Sequence, residues 1–273
     1  MVEARGVLLN EYNPAGYGDA VGADYDLLYP ETAFETEATV AALAELARSA
    51  PAGGRSILEF GIGTGRLALP LLAQGFTVAG IEGSEAMLAQ LRAKPRGDEI
   101  EVIVGDFTRA RVDGAFSVVA LVLNGITDPP TRDAQIECFR NAARHLEPGG
   151  CFVLETYVLR PEQLSGDWSI WPRIVEKEHV ELQLSRYDPA TGILERTLVH
   201  LYPDSVRFVT IEDAYAWPGE LDLMARMVGL RLRSRHGGWA GEPFDASSHR
   251  HVSIYERAET DPTDSRARSD PDP

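Results

Sequence analysis

The sequence has few of the residues that build disulfides, metal sites or membrane spans. Its two cysteines, Cys138 and Cys151, lie within a helical and a strand pattern, so we expect buried core residues with no disulfide and no metal. No apolar run reaches the roughly 18–20 residues that a membrane helix requires. No basic segment followed by an apolar one opens the chain. These absences favour a cytoplasmic enzyme.

Positive charge is also scarce. The 273 residues carry a formal net charge of −16, and lysine occurs only at Lys94 and Lys177. Nucleic acids and anionic membranes bind to basic surfaces, so neither is expected as the main partner. A hydrophobic content of 44% with 25% charged residues suits one large α/β domain, or a core domain with an appendage. The sequence also allows a homodimer.

A glycine-rich unit at Ser56–Glu82 is the strongest local pattern, and it reads SILEFGIGTGRLALPLLAQGFTVAGIE. It predicts a strand, a glycine turn, a helix and a second strand, which together form one nucleotide-binding βαβ unit. Gly61 allows a sharp turn off the strand. Gly63 and Gly65 allow the backbone to approach a ligand and the helix to start close to the sheet. Glu82 follows about 20 residues on, where a carboxylate can accept both ribose hydroxyls of a ligand.

Strands and helices alternate around this unit, which predicts a mostly parallel sheet covered on both faces. Ser84 is a plausible N-cap for the helix that runs to Lys94. The strands are predicted at Ile57–Phe60, Thr77–Glu82, Ile100–Val104, Phe116–Leu123 and Cys151–Tyr157. The other helices are predicted at Glu31–Ser49, Gly65–Gln74 and Thr131–Leu146.

The pattern changes after Val158, where long strand-like runs predict an antiparallel meander. The runs are Ile174–Tyr187, Ile193–Tyr202 and Val206–Tyr215, with a hairpin turn at Asp188–Gly192 between the first two. A helix at Pro218–Val228 and an antiparallel pair at Leu230–His236 and His251–Tyr255 then complete the core. We therefore divide the chain into a lid-like segment (1–29), a core (30–158 and 216–257), an antiparallel insertion over the substrate site (159–215) and a disordered tail (258–273).

The first 24 residues are expected to be loop-rich, because Asn-Pro and Gly-Tyr-Gly break regular structure. Four tyrosines lie in or beside this segment, which is dense for a tail. They either pack the segment onto the core or cover a ligand site. They are Tyr12, Tyr17, Tyr25 and Tyr29.

Two classes of ligand compete for the glycine turn. A dinucleotide site requires G-x-G-x-x-G, whereas this chain has G-x-G-x-G, one residue shorter, after an acid at Glu59. A carboxylate at Glu59 would repel a pyrophosphate but suit a ligand with an ammonium group. At the end of the third strand, Asp106 could accept the amino group of an adenine, and Phe107 could lie against its ring.

These residues resemble the class I S-adenosylmethionine-dependent methyltransferases. Their first motif is matched by 59–65, their ribose-binding acid by Glu82, their adenine motif by 105–107, and the turn before their fifth strand by 146–150. The resemblance implies a doubly wound α/β fold with a mostly parallel seven-stranded Rossmann-like sheet, here with an antiparallel insertion after the fifth strand. It also implies S-adenosylmethionine as the cofactor. The residues that it places at the cofactor are Glu59, Gly61, Gly63, Thr64, Gly65, Glu82, Gly83, Met87, Asp106, Phe107, Leu123 and Asn124.

A narrower resemblance links residues 23–29, the Asn124-Gly125 end of the fourth strand and the meander to the sugar-amine N,N-dimethyltransferases of macrolide biosynthesis and their small-molecule relatives. In that group a tyrosine of the N-terminal segment closes over the site, and Tyr25 matches it best. The resemblance implies methyl transfer to a small-molecule acceptor, by displacement at the sulfonium methyl, and suggests a place in specialised metabolism. The atom methylated stays open, because the same layout serves nitrogen, oxygen and carbon.

A hydroxyl or carbon acceptor needs a base, whereas an amine needs only to be neutral. Besides Tyr25, our candidates near the methyl group are Tyr157, which follows the fifth strand, and His236, at a strand end. We expect His145 to be a surface or cap residue. His249 and His251 lack a third ligand for a metal. The four tryptophans after residue 158 either line an aromatic cavity beneath the insertion or simply pack it onto the core; they are Trp168, Trp171, Trp217 and Trp239.

Two alternatives remain at this point. The first is an oxidoreductase that uses a nicotinamide dinucleotide, although neither lysine completes the Tyr-x-x-x-Lys pair of short-chain dehydrogenases. The second is a protein that keeps the cofactor site for binding or cyclisation but has lost methyl transfer.

Overall fold

The computed structural model describes residues 4–8, 12–22, 25–28, 35–51, 54–160, 163–164 and 166–257. Its larger sheet has seven strands, and their spatial order is β11-β12-β6-β5-β2-β3-β4. The strands are β2 (Ser56–Phe60), β3 (Thr77–Glu82), β4 (Glu101–Val104), β5 (Phe116–Leu121), β6 (Leu146–Tyr157), β11 (Leu230–His236) and β12 (Arg250–Arg257). β12 runs opposite to the other six strands, so it is antiparallel to both β6 and β11. The predicted α/β fold with a mostly parallel seven-stranded sheet is confirmed.

The chain winds outward from β2 in both directions. It passes from β2 to β3 and β4, returns to β5 beside β2, and then continues to β6. The order of the strands therefore reverses between β2 and β5. In such sheets, ligands bind outside the carboxyl ends of the strands at this switch point.

Helices cover both faces of the sheet, and each face has its own apolar core. Leu58 packs in a cluster with Phe139 of one helix and Met224 of another, whereas its neighbour Ile57 packs with Leu43 on the opposite face. Adjacent strand residues point to opposite faces, so strands buried on both sides need the continuous apolar runs seen in the sequence. The helices are α3 (Thr36–Arg48), α4 (Ala68–Ala73), α5 (Glu85–Ala93), α6 (Arg132–His145) and α7 (Pro218–Met227).

The predicted N-cap at Ser84 is confirmed, and a second helix start has the same chemistry. The Ser84 hydroxyl accepts the backbone N–H of Met87 at 3.2 Å, at the start of α5. Thr131 does the same for Ala134 at 3.2 Å, at the start of α6. Each cap supplies an acceptor for an N–H that has no partner within the helix.

Four strands that follow β6 form a second sheet together with the first strand of the chain, and the spatial order is β1-β10-β9-β8-β7. It comprises β7 (Ser169–Val175), β8 (Val180–Asp188), β9 (Ile193–Leu201), β10 (Val206–Ala214) and β1 (Ala4–Leu8). The prediction of one strand over Ile174–Tyr187 is wrong. Residues 176–179 form a turn, with Glu176 N–H donating to the His179 carbonyl at 2.9 Å.

The N-terminal segment is more ordered in backbone than the sequence suggested. Strand β1 pairs in parallel with β10, with Gly6 opposite Phe208. Two short helices follow, α1 (Gly16–Val21) and α2 (Tyr25–Leu28). The loop-rich prediction for residues 1–24 is therefore wrong for these parts. Tyr29 and the tail predicted at 258–273 lie outside the described residues.

The two cysteines, Cys138 and Cys151, are buried and free, as predicted. No helix among the described residues is long and apolar enough to cross a membrane.

Candidate active site

The glycine turn after β2 forms one wall of a cavity at the switch point. Gly61, Gly63 and Gly65 have φ angles of +68°, +56° and +85°, which favour glycine. A Cβ on Gly61 would meet nothing within 4 Å, and one on Gly63 would approach only the Gly61 carbonyl, at 3.9 Å. A Cβ on Gly65 would instead lie 2.3 Å from Leu91. The first two glycines thus border open space, while the third allows α5 to pack closely against the turn.

The carboxylate of Glu82 fixes the shape of this turn. It accepts the N–H of Gly63 at 2.8 Å and the N–H of Ser84 at 2.9 Å. The side chain is buried, and this burial raises its pKa, although the backbone hydrogen bonds oppose the change. The end of β3 is therefore tied to the turn that follows β2.

Glu59 carries a buried carboxyl group beside the turn. Only 4% of the residue is exposed, and its Oε2 atom has no hydrogen-bond partner among the described residues. Burial raises the pKa of Glu59 to about 8, against the attraction of Arg66 and with a smaller contribution from Glu82. A buried acid without a partner is costly, and a cationic ligand group at this place would supply one.

Most of the residues expected at the cofactor line this cavity. The exceptions are Gly65, Asp106 and Asn124. Asp106 accepts the N–H of Thr108 at 2.8 Å and the hydroxyl of Tyr12 at 3.1 Å. The expected residues that do line the cavity are Glu59, Gly61, Gly63, Thr64, Glu82, Gly83, Met87, Phe107 and Leu123.

Helices α1 and α2 lie against this cavity and are fastened to the core by acidic side chains. Asp19 accepts the hydroxyl of Ser84 at 2.7 Å. Asp26 accepts the hydroxyl of Thr64 at 2.7 Å and pairs with Lys94 at 2.6 Å. Tyr25 therefore sits on a segment that is held directly to the glycine turn.

A second cavity adjoins the first on the side of the five-stranded sheet. Both are lined by Tyr17, Tyr25, Leu123 and Asp128, and the second is also lined by Arg196. The arrangement brings a bound molecule in one cavity next to a molecule in the other. Such an arrangement suits transfer of a group from a cofactor to an acceptor.

Asp128 is the titratable group on the shared wall, and the sequence interpretation missed it. Its side chain is exposed, and it lines both cavities. Burial and the neighbouring charge of Asp213 raise the pKa of Asp128 to about 7, while Arg196 opposes the change. The available signal was an acid in the loop after the fourth parallel strand, on the ligand-binding edge of the sheet.

Two of the three catalytic candidates lie away from this shared wall. The Tyr157 hydroxyl donates to Asp213 at 3.2 Å, and the ring lines a third cavity further from the glycine turn. Burial, with the charge of Asp213, raises the pKa of Tyr157. His236 lies on the outermost strand, with its Nε2 atom 3.2 Å from the Ser234 hydroxyl, and lines none of these three cavities. Tyr25 is the candidate that does line the shared wall.

The tryptophans do not form one aromatic cavity. Trp171 lines the third cavity. Trp239 is buried and donates its indole N–H to Glu155 at 3.0 Å. Trp168 lies against Arg186, and Trp217 against Tyr215. Packing of the insertion and the strand ends therefore accounts for three of them.

The histidines are mainly structural. Of the two alternatives for His145, a surface or a cap residue, the first is wrong: His145 is buried, accepts the Val112 N–H at 3.2 Å, and has Nδ1 2.8 Å from the Asn141 carbonyl in the last turn of α6. In the five-stranded sheet, His179, Glu181 and His200 bring ligand atoms within 4.8 Å of one another. Arg173 already pairs with Glu181 at 2.8 Å, so the carboxylate charge there is balanced without a metal.

Comparison with known proteins agrees with this geometry. A family profile described as a methyltransferase domain matches residues 57–150. The chain is 27% identical to the cypemycin N-terminal methyltransferase of a Streptomyces species, over 84% of this chain and 98% of the relative. It is 29% identical to the dTDP-3-amino-3,4,6-trideoxy-alpha-D-glucopyranose N,N-dimethyltransferase of Streptomyces venezuelae, over 80% of this chain and 92% of the relative.

The fold is also similar to solved structures. The CcbJ methyltransferase from Streptomyces caelestis superposes with a TM-score of 0.81 and 34% identity, over 91% of this chain and all of that one. An S-adenosylmethionine-dependent methyltransferase from Clostridium acetobutylicum shares the fold at 12% identity, with a TM-score of 0.74. The open space at Gly61 and Gly63 and the unpartnered acid at Glu59 fit the same cofactor. The chain therefore belongs to the S-adenosylmethionine-dependent methyltransferases.

Proposed function

We propose that this enzyme transfers the methyl group of S-adenosylmethionine to an amine nitrogen of a small molecule in specialised metabolism. Three similar proteins support this proposal: the N-terminal methyltransferase, the N,N-dimethyltransferase of an amino sugar, and the glycopeptide N-methyltransferase MtfA, whose fold is similar with a TM-score of 0.56. Each of those proteins methylates nitrogen according to its name. The wall of the second cavity is formed by the loop after β5, by three strands of the five-stranded sheet and by α1 and α2, which suits an acceptor that is enclosed on several sides.

The position of Asp128 carries the proposal. It lines both the cofactor cavity and the second cavity, and its pKa is raised to about 7. An alkylammonium group must lose its proton before nitrogen can act as a nucleophile. A carboxylate with a pKa near neutrality, held next to that nitrogen, is suited to accept the proton.

The residues of the first cavity have separable proposed roles toward the cofactor. Glu59 would pair with its ammonium group, because the buried Oε2 atom needs a partner. Glu82 would accept the ribose hydroxyls, since its carboxylate lines the cavity and can accept more hydrogen bonds than the backbone N–H groups supply. Phe107, which is stacked 6.0 Å from Phe60, would lie against the adenine. Gly61 and Gly63 have no side chains, so the cofactor would lie close to the backbone of the turn.

When bound, S-adenosylmethionine supplies a methyl group on a positively charged sulfur, with a neutral thioether as the leaving group. The protein then has to place the acceptor and exclude water. Tyr17 and Tyr25 lie on both cavities, and we assign them to closing the passage between cofactor and acceptor. Asp128 would hold the acceptor nitrogen by hydrogen bonding and take its proton. Tyr157 and His236 have no contact that supports a direct role.

The test uses matched acceptors and direct detection of product. Purified enzyme with S-adenosylmethionine is offered small amines, among them amino sugars and amino acids, beside the corresponding alcohols, and products are identified by mass spectrometry. Methylated amines without methylated alcohols would support the proposal. Methylation of the alcohols alone would contradict it. If S-adenosylhomocysteine binds but no acceptor is ever methylated, the alternative of a cofactor-binding protein without methyl transfer gains support.

A further inference from the structure

A third cavity continues from the second, on the side away from the glycine turn. The two share Asn124, Arg173 and Arg196 on their walls. The third cavity is additionally lined by Arg160 and His249. Together the second and third cavities form one path that starts at Asp128 and ends at Arg160.

The charge of this path is opposite to that of the whole protein. The chain has a formal net charge of −16. Nevertheless, none of the described residues that line the third cavity is an aspartate or a glutamate, while three are arginines. Among the described lining residues of the second cavity, Asp128 is the sole carboxylate. An arginine-lined cavity in an acidic protein attracts anions locally while the surrounding surface repels them.

The three arginines differ in how far their charge is already balanced. Arg196 is held by the fully buried Asp213, with Nη2 2.9 Å from Oδ1. Arg173 pairs with the fully buried Glu181 at 2.8 Å but keeps 37% of its side chain exposed. Arg160 is exposed, and no carboxylate pairs with it in the part of the chain that the structure describes. Arg160 can therefore still bind an anion, and Arg173 adds a second guanidinium to the same cavity wall.

The backbone at Arg160 is fixed on the cavity wall. Its N–H donates to the side-chain oxygen of Gln163 at 2.9 Å, and Gln163 itself is buried and lines the same cavity. The neighbouring Leu159 N–H reaches the hydroxyl of Tyr215 at 3.4 Å. The guanidinium thus extends from an anchored point, which lowers the entropy lost when it binds a ligand.

We propose that the third cavity binds an anionic group, a carboxylate or a phosphate, that belongs to the acceptor itself. This inference rests on the proposed function and narrows its substrate class to amines that carry an anion at the other end of the molecule. The amine end lies at Asp128, and the anionic end lies between Arg160 and Arg173. Arginine suits both anions, because its planar fork of N–H groups matches two oxygens at once.

The path also orients the acceptor. The Asp128 carboxylate at one end attracts the ammonium group and repels the anion, and the arginines at the other end do the reverse. A molecule with both charges therefore enters in one direction, with its nitrogen next to the cofactor cavity. A neutral amine of the same size lacks this alignment, so its transfer rate falls through weaker binding and poorer orientation.

The test measures anion binding without catalysis. Inorganic phosphate and succinate are titrated by calorimetry into the enzyme saturated with S-adenosylhomocysteine. We expect saturable binding of at least one anion, weakened about tenfold or more in Arg160→Gln because a charge-assisted contact is lost. Arg231→Gln is the matched control, because Arg231 pairs with Glu256 on an outer strand and lines none of these cavities. Tighter binding of phosphate points to a phosphorylated acceptor, and tighter binding of succinate to a carboxylate.

Arg173→Gln is a second variant, and its melting temperature is measured first because it leaves Glu181 buried without a cation. The proposal is overturned if neither anion binds to the wild type, or if Arg160→Gln binds as tightly as the wild type. Failure of the proposed function looks different, because S-adenosylhomocysteine binding or amine methylation is then lost while anion binding can persist. Methylation of matched acceptors gives a further check: loss of the anionic group should raise KM in the wild type and change little in Arg160→Gln.

Discussion

The backbone N–H of Gly63 donates a hydrogen bond of 2.8 Å to the carboxylate of Glu82, across 19 positions of the chain. The other oxygen of the same carboxylate accepts the N–H of Ser84 at 2.9 Å. One buried side chain thus ties the glycine turn to the end of β3 and the start of α5. Because the hydrogen bond to Glu82 holds the turn in place, a side chain added at Gly63 projects into the open cavity.

Gly63→Ala should fold but bind the cofactor poorly. The new methyl group would stand in space that is otherwise free, so we expect S-adenosylhomocysteine to bind at least tenfold more weakly in calorimetry. Gly229→Ala is the control, since Gly229 has a φ of +80° and also borders open space, but lies after α7 and away from the cavity. Both variants carry a similar backbone strain of roughly 1–2 kcal/mol. Equal affinities in the two variants would contradict the placement of the cofactor.

Glu59→Gln should make the free enzyme more stable at pH 8. Burial raises the pKa of Glu59 from 4.5 to about 8, so between these values the folded protein holds a proton that the unfolded chain has released. The free energy of unfolding therefore falls as pH rises through this window. Glutamine removes this dependence on pH, so the melting temperatures at pH 5 and pH 8 should differ less in the variant than in the wild type.

The same substitution should weaken binding of the cofactor. If Glu59 pairs with an ammonium group, binding favours its ionised form, and wild-type affinity should increase with pH up to about 8 with release of a proton. Calorimetry in buffers of different ionisation enthalpy measures that proton. An unchanged affinity in Glu59→Gln, with no proton released by the wild type, would rule out this role.

Asp128→Asn should slow methylation of an amine without loss of cofactor binding. The carboxylate accepts a proton when ionised, so wild-type kcat/KM should decrease as pH falls below about 7, the raised pKa of Asp128. Loss of a general base typically lowers the rate by about 10²–10⁴-fold. An acceptor amine with a pKa well above this range stays protonated throughout it, so the substrate's own titration does not contribute to the profile. A variant that retains the wild-type rate and the wild-type profile would show that Asp128 takes no proton.

Asp26→Asn should loosen the segment that carries Tyr25. Asp26 bonds to Thr64 and Lys94, but it is 45% exposed, so the contact is worth at most about 1 kcal/mol. We expect S-adenosylhomocysteine to dissociate a few-fold faster in stopped-flow measurements, with the melting temperature nearly unchanged. Asp113→Asn, at an exposed turn, is the control. Identical dissociation rates in the two variants would argue against a fastening role.

The cofactor side of the site could be predicted because its signals are local. The glycine turn, the acid at the end of β3 and the Ser84 cap each depend on a few neighbouring residues, and the parallel strands bring them to one edge. The acceptor side depends on contacts between distant parts of the chain. Strand β1 pairs with β10, with Ala4 opposite Val206, and no local pattern encodes that pairing.

The role of Asp128 and the burial of His145 were missed for the same reason, because both depend on distant parts of the chain. Asp128 resembles any acid in a polar loop, because its raised pKa depends in part on Asp213, which lies on a strand of the five-stranded sheet and far away in the sequence. His145 is buried because a loop near Val112 folds back onto α6, which the helical pattern alone does not reveal. Sequence patterns identify which faces of an element are apolar, but they do not identify which polar residues a second sheet will cover.

A crystal structure of the enzyme with S-adenosylhomocysteine is the most direct measurement. The account predicts that the ammonium group lies within hydrogen-bond distance of Glu59, that the ribose hydroxyls contact Glu82, and that the sulfur faces the cavity lined by Asp128 and Tyr25. A ligand with its sulfur directed away from Asp128, or bound outside the cavity at the glycine turn, would contradict it.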